Sequence, residues 1–236
     1  MSKLSNLIFH NEDTYITSSY GYRKVISTSK GNTSSFHNGV DYGTNGRKLP
    51  QYSIDEGVII SCGTDWAYGG AKYVWVKYPR LGVKMLHYHL DSIKVKKNQV
   101  VNTNTIIGYT GKTGKATGVH LHLGLKLLSG DGYIDPEAWF EKNYKEPEKD
   151  SSNKIEDFLP KRGYFKDGDV SENVGKIAAF MREVFPKYTS KKALGNTYGK
   201  YLKKAITQFQ ENTGLVPDGL TGPITVKKFT EFGFKF

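Results

Sequence analysis

Residues 110–126 read TGKTGKATGVHLHLGLK, a run of glycine, threonine and lysine that turns repeatedly and then enters a stretch that reads as a strand. Turn signals alternating with short strand-like runs mark an antiparallel β protein. Outward from this segment, residues 58–61, 73–77, 83–89, 106–109 and 119–126 are rich in β-branched and aromatic residues. Long helical periodicity is absent up to about residue 143. An antiparallel β-sheet domain is therefore expected over residues 1–143.

Five of the six histidines fall in three tight groups within it: His37, the pair His87 and His89 in MLHYHLDS, and the pair His120 and His122 in GVHLHLG. On a strand, residues i and i+2 face the same way, so each H-x-H pair is expected to present two imidazoles on one face. The segment SFHNGVDYG, residues 35–43, adds Asp41 four residues after His37 in a composition too glycine-rich for a helix. An extended chain also puts i and i+4 on one face. Four such steps cover roughly 13 Å at about 3.3 Å per residue, so the pair shares one ion only if the chain bends, and Gly39 is the obvious place.

One H-x-H pair is weak evidence, since polar residues on an exposed strand face are the ordinary alternative. Two pairs and an H-x-x-x-D suit a divalent ion such as zinc, and three protein ligands with one open position is the catalytic arrangement. A structural site would normally recruit cysteine. The domain offers only Cys62, in GVIISCG, which reads as a small buried residue.

Composition narrows the class. The chain has 236 residues, 37% of them hydrophobic, enough for one large domain or two smaller ones. No run approaches 18 apolar residues, so no insertion into a membrane is expected. MSKLSNLIFHNEDTY lacks the apolar core of a signal peptide, so the product, if complete, is expected to be made in the cytoplasm. The net charge of +11 attracts polyanions in general, including nucleic acid, anionic membranes and wall polymers. No nucleic-acid motif accompanies it, and no nucleic-acid partner is expected.

After residue 143 the texture changes. NYKEPEKDSSNK is charged, nearly without apolar residues, and reads as a linker placed at residues 144–155. Residues 172–185 and 198–212 carry apolar residues at three- and four-residue steps, and a third short helix is expected over 224–232, where Pro223 suits a first helical turn. Residues 156–236 thus read as a small three-helix domain.

At this point the first 140 residues resemble the lysostaphin-type zinc metalloendopeptidases, which cut peptide bonds of bacterial peptidoglycan. ITSSYGYR, FHNGVDYG, IDEGVII, WAYGG, YHLDSIKVKKNQVVNTNTIIGYTGKTG and GVHLHLGL follow in that family's order. The resemblance implies one zinc per chain held by His37, Asp41 and His122, with His89 and His120 as non-ligand catalytic histidines. Arg23, in SYGYR, matches an arginine of the pattern and is either a substrate contact or a salt bridge supporting the fold. Trp66 and Tyr68 are candidates for walling a peptide groove. His87 stands where the family usually has an aromatic residue; it is either a substrate contact, a partner behind the site or a plain replacement. Tyr20 and Tyr22 are the candidates for a tyrosine that some relatives use near the oxyanion.

KAITQFQENTGLVPDGLTGPITVKKF, residues 204–229, resembles small helical peptidoglycan-binding domains attached to wall hydrolases. There Phe209 and Leu220 are expected in the core, while Gln210, Asp218 and Thr221 are candidate wall contacts. Together the resemblances imply a zinc endopeptidase tethered to a wall anchor; a monomer is the expectation for its oligomeric state, which the sequence does not fix. A phage endolysin fits, held in the host cytoplasm until the membrane opens and then acting on the wall; a secreted, wall-associated enzyme is the alternative. The rival reading is a non-catalytic wall-binding or regulatory protein on the same scaffold. A metal-dependent D-alanyl-D-alanine carboxypeptidase would show a wider first spacing and a catalytic glutamate.

Overall fold

The computed structural model describes residues 2–25, 27–28, 31–146, 152–189 and 195–236. The chain divides into two compact units, Met1–Lys145 and Glu146–Phe236.

In the first unit the turn signals separate antiparallel strands, as the composition predicts. The main sheet has the order Tyr15–Ser18, Val40–Gly43, His120–Leu127, Val83–Tyr88, Ala71–Tyr78, Gly57–Asp65 and Val100–Val101, with Tyr133–Ile134 added beside His120–Leu127. A three-stranded sheet of Ser92–Ile93, Ile106–Tyr109 and Pro50–Tyr52 accompanies it. Strand alternation divides the main sheet into a dry and a wet face. Leu121, Leu123 and Leu125 point to the dry face with Val83, Met85, Val74 and Val76, all fully buried. Each such side chain contributes roughly 1.5–3 kcal/mol of transfer free energy.

Two short helices close that core. Lys3–Phe9 starts at Ser2, whose side chain accepts the Ser5 N–H, and buries Leu4, Ile8 and Phe9. Pro136–Asn143 starts at Asp135, which caps two N–H groups, and buries Phe140. Neither helix was expected: seven or eight residues give periodicity little room to show, and packing on the sheet stabilises them.

The other face carries one row of directly opposed residues across five strands: Ser18, Asp41, His122, Tyr88 and Tyr73. Register alone brings together residues more than 80 positions apart.

The second unit contains four helices among the described residues, Ser152–Phe158, Glu172–Val184, Lys200–Thr213 and Pro223–Glu231. The last three fall where periodicity places them. The first begins inside the expected linker, runs past its end and has Phe158 in edge contact with Phe165, Phe234 and Phe236. Of that linker, residues 147–151 lie outside the described residues. Along Lys200–Thr213, Leu202, Ala205, Ile206 and Phe209 bury one stripe. Gln210 and Thr221, read above as candidate wall contacts, are buried instead. The Gln210 amide donates to Asp218 Oδ1, the Leu220 carbonyl and Thr225 Oγ1, and its oxygen accepts the Gly219 N–H, so it pins the turn before the last helix. Thr221 shares a hydrogen bond with the buried Tyr198 hydroxyl.

Candidate metal and catalytic site

His37 and Asp41 meet because the chain bends between the short strands Phe36–His37 and Val40–Gly43. Gly39 has a further reason to be glycine. A Cβ there would lie 2.4 Å from the Leu123 carbonyl oxygen and 2.8 Å from the His122 ring, so the missing side chain is the space that ring occupies.

The three donors converge. His37 Nε2 lies 3.1 Å from Asp41 Oδ1 and 3.0 Å from His122 Nδ1, and His122 Nδ1 lies 2.9 Å from Asp41 Oδ1. Tetrahedral zinc with bonds of about 2.0–2.1 Å separates its ligand atoms by about 3.3 Å, so this spacing fits such an ion with little adjustment. His37 Nδ1 donates to the Ser19 carbonyl at 2.8 Å, which leaves Nε2 as the lone-pair nitrogen facing the cluster. These residues could hold a metal ion. Burial raises the Asp41 pKa, but hydrogen bonds and charge from His122 and His37 outweigh that and hold the carboxyl well below the usual carboxylate range. An anionic carboxylate and neutral imidazoles are the protonation states metal binding requires. Burial pushes the His122 pKa down, which favours the neutral ring.

Arg23 stands behind this cluster. Its Nη1 is 3.7 Å from Asp41 Oδ2 and donates to Ser18 Oγ at 2.7 Å, so the salt bridge of the two earlier readings is present. It occupies the carboxylate oxygen that His37 and His122 do not touch, an arrangement that favours single-oxygen ligation.

Beside the donors sit two further imidazoles. The His89 and His120 rings are 4.9 Å apart, and His120 Nε2 is 3.8 Å from Asp41 Oδ1. His89 Nδ1 donates to the Thr113 carbonyl at 2.7 Å and His120 Nδ1 to the Gly118 carbonyl at 2.9 Å. A carbonyl accepts only, so each ring carries its proton on Nδ1 and leaves Nε2 as the acceptor. Burial, with His120 nearby, lowers the His89 pKa to about 4. His89 is thus neutral at neutral pH.

All five residues line one groove of about 1870 Å³, too large for a small-molecule pocket and suited to a polymer segment. Trp66 and Tyr68 form part of its wall, 82% and 57% exposed. Tyr20 and Tyr22 are not among its lining residues: the Tyr20 hydroxyl donates to the Tyr133 carbonyl, and Tyr22 is exposed.

His87 corrects the sequence reading. It is fully buried beside Leu123 on the dry face, with Nδ1 2.8 Å from Gln51 Oε1, and it cannot touch a substrate. The regular strand ends at Tyr88, and His89 adopts a left-handed backbone with φ 63°, which swings its ring to the wet face. The H-x-H rule thus holds for His120 and His122 and fails for His87 and His89.

Two groove residues had no sequence signal. Asp65 accepts the Tyr88 hydroxyl through Oδ2 at 2.8 Å and the Ala67 N–H through Oδ1 at 3.1 Å, tying the Trp66–Tyr68 turn to strand Val83–Tyr88. Burial and Asp65 together push the Tyr88 pKa up, so its ring stays protonated against His89, 4.8 Å away.

The β-sheet domain thus brings an imidazole–carboxylate donor cluster and two further imidazoles to one groove, an arrangement able to hold a metal ion. Residues 35–136, within the first unit, match the family model described as Peptidase family M23. Among curated proteins the chain is similar to the DD-carboxypeptidase/endopeptidase Mpg of Neisseria meningitidis serogroup B, 32% identical over 111 residues covering 46% of this chain and 24% of that protein. It is also similar to the peptidoglycan DD-endopeptidase ShyB of Vibrio cholerae, 37% identical over 86 residues, 36% of this chain and 19% of that protein. The chain thus spans about a quarter or less of the length of these relatives. Among solved structures it resembles the catalytic domain of lysostaphin from Staphylococcus simulans, 25% identical, covering 60% of this chain and all of that one, with a TM-score of 0.47. No helix among the described residues is long and apolar enough to cross a membrane.

Proposed function

We propose that the first unit is a zinc-dependent endopeptidase that hydrolyses a peptide bond of bacterial peptidoglycan. The observation that carries this reading is the convergence of His37, Asp41 and His122 beside two imidazoles whose lone-pair nitrogens face one groove. The M23 match and the DD-endopeptidase names of the relatives support the substrate class.

His37 Nε2, Asp41 Oδ1 and His122 Nδ1 would hold the ion. Zinc supplies a Lewis acid that polarises the scissile carbonyl and acidifies water. His89 and His120 are the proton carriers. One accepts the proton of the attacking water at Nε2 and delivers it to the leaving amine as the C–N bond breaks. The other, when protonated at Nε2, donates to the developing oxyanion. Trp66 and Tyr68 border the bound peptide.

The second unit is, on this reading, a wall-binding module, supported by the Gly-Leu-x-x-Asp-Gly turn and Gly-Pro-x-Thr helix start. Tethering raises the local concentration of the catalytic unit at an insoluble substrate. A cutter joined to an anchor is the plan of a lytic enzyme, and the setting this reading gives it is that of a phage endolysin.

The test is mass spectrometry of fragments released from purified peptidoglycan by the zinc-loaded protein and by His120→Ala. New amino termini within stem peptides or cross-bridges, seen only with the unmodified protein, are expected. Release of a terminal D-alanine alone would replace endopeptidase with carboxypeptidase. No release from any wall to which the protein binds would favour the non-catalytic reading.

A further inference from the structure

His89 sits in a backbone conformation that a non-glycine residue rarely adopts, and something must hold it there. The loop after Tyr109 does so through one residue. The Thr113 carbonyl accepts His89 Nδ1–H at 2.7 Å, while its hydroxyl donates to the Leu90 carbonyl at 2.9 Å and accepts the Lys72 N–H at 3.0 Å. The Leu90 N–H in turn donates to the Lys72 carbonyl at 3.1 Å. Thr113 therefore joins the end of strand Val83–Tyr88, the start of strand Ala71–Tyr78 and the His89 ring. Gly114 follows with φ 71°, pressed so closely that a Cβ would lie 2.6 Å from both the Ala71 Cβ and the Tyr68 carbonyl oxygen. The loop has no slack at this point.

We propose that Thr113 is a positioning residue for the reaction: its carbonyl fixes His89 as the Nδ1–H tautomer with Nε2 aimed into the groove, and its hydroxyl bolts that carbonyl in place. The inference rests on the reading of His89 as a proton carrier. Without the clamp the ring can turn or take the Nε2–H tautomer, which has no lone pair to offer the groove. A threonine that merely stabilised the loop would leave the tautomer unchanged when the hydroxyl is lost.

The experiment is nitrogen-15 NMR of the histidine side chains in the zinc-loaded full chain, for the unmodified protein, Thr113→Val and Thr113→Ser. Each is paired with wall-hydrolysis kinetics and zinc affinity by chelator competition. The unmodified protein is expected to show His89 protonated at Nδ1 alone. In Thr113→Val the His89 signals shift toward a mixture of tautomers and kcat falls about 100-fold, with KM and zinc affinity nearly unchanged; Thr113→Ser restores both. A His89 protonated at Nε2 in the unmodified protein overturns the proposal whatever the variants do. So does a Thr113→Val protein that keeps the tautomer, with or without loss of activity. If the tautomer shifts in Thr113→Val but the unmodified protein cuts no wall, the clamp stands and the hydrolase reading falls.

Discussion

His87 and His89 are two residues apart and face opposite sides of their sheet, because the left-handed backbone at His89 breaks the alternation that carries His87 into the core. One joins the reactive groove. The other forms a buried polar pair with Gln51, in which His87 Nε2 and Gln51 Nε2 have no hydrogen-bond partner.

Replacing His87 by leucine should leave wall hydrolysis within about twofold, since nothing in the groove touches it, while removing the donor to Gln51 costs roughly 1–3 kcal/mol. The double change His87→Leu with Gln51→Leu should recover most of that loss, because two apolar groups leave no polar atom unpaired. Urea unfolding of the single and double variants checks this; a single variant as stable as the unmodified protein would refute it.

Burial lowers the His87 pKa from 6.5 to about 4. Between those values the unfolded chain takes up a proton that the folded chain refuses, so stability is complete above about pH 6.5 and falls as pH drops toward 4. The span corresponds to about 3 kcal/mol at most for one group. In the metal-free protein this slope should be shallower for the His87→Leu, Gln51→Leu variant. Equal slopes would show that other groups dominate acid unfolding.

Gly39→Ala should abolish or weaken zinc binding by tenfold or more, because the added Cβ meets the Leu123 carbonyl and the His122 ring at distances neither can tolerate. Isothermal titration with zinc alone reads this directly. Normal affinity would mean that the two strands shift freely, contrary to the packed core beneath them.

Trp66→Ala should raise KM for wall substrate by roughly 10-fold with little change in kcat, as expected of an exposed wall residue that binds ground state and transition state alike. A fall in kcat at unchanged KM would instead assign Trp66 to the transition state.

Gln210→Leu should destabilise the second unit by roughly 2–4 kcal/mol, since it strands the Gly219 N–H and removes three donated bonds around the last turn. Cleavage of a short soluble peptide should be unaffected while wall binding falls on warming. Loss of wall binding with no loss of stability would return Gln210 to the contacting surface.

Much of the fold was legible because it is written in local chemistry. Turn formers between strand-like runs gave the β unit, and apolar steps of three and four gave the helices from Glu172 onward. The candidate donors were legible too, since the six histidines are few and repeated at strand spacing, while the choice of His37, Asp41 and His122 among them came from the resemblance. The side to which each residue turns was not. A single left-handed residue reverses a strand's facing, and no periodicity announces it, so His87 and His89 were paired in the sequence and separated in space. Asp65, Thr113 and Tyr88 act through hydrogen bonds to partners distant in the chain, which only register and loop closure bring within reach. The sequence alone determined which groups are available for the chemistry. Tertiary structure decided which of them share a groove, which nitrogen each histidine offers it and which polar residues are locked inside, because burial and hydrogen-bond partners belong to the packed chain and to no segment of it.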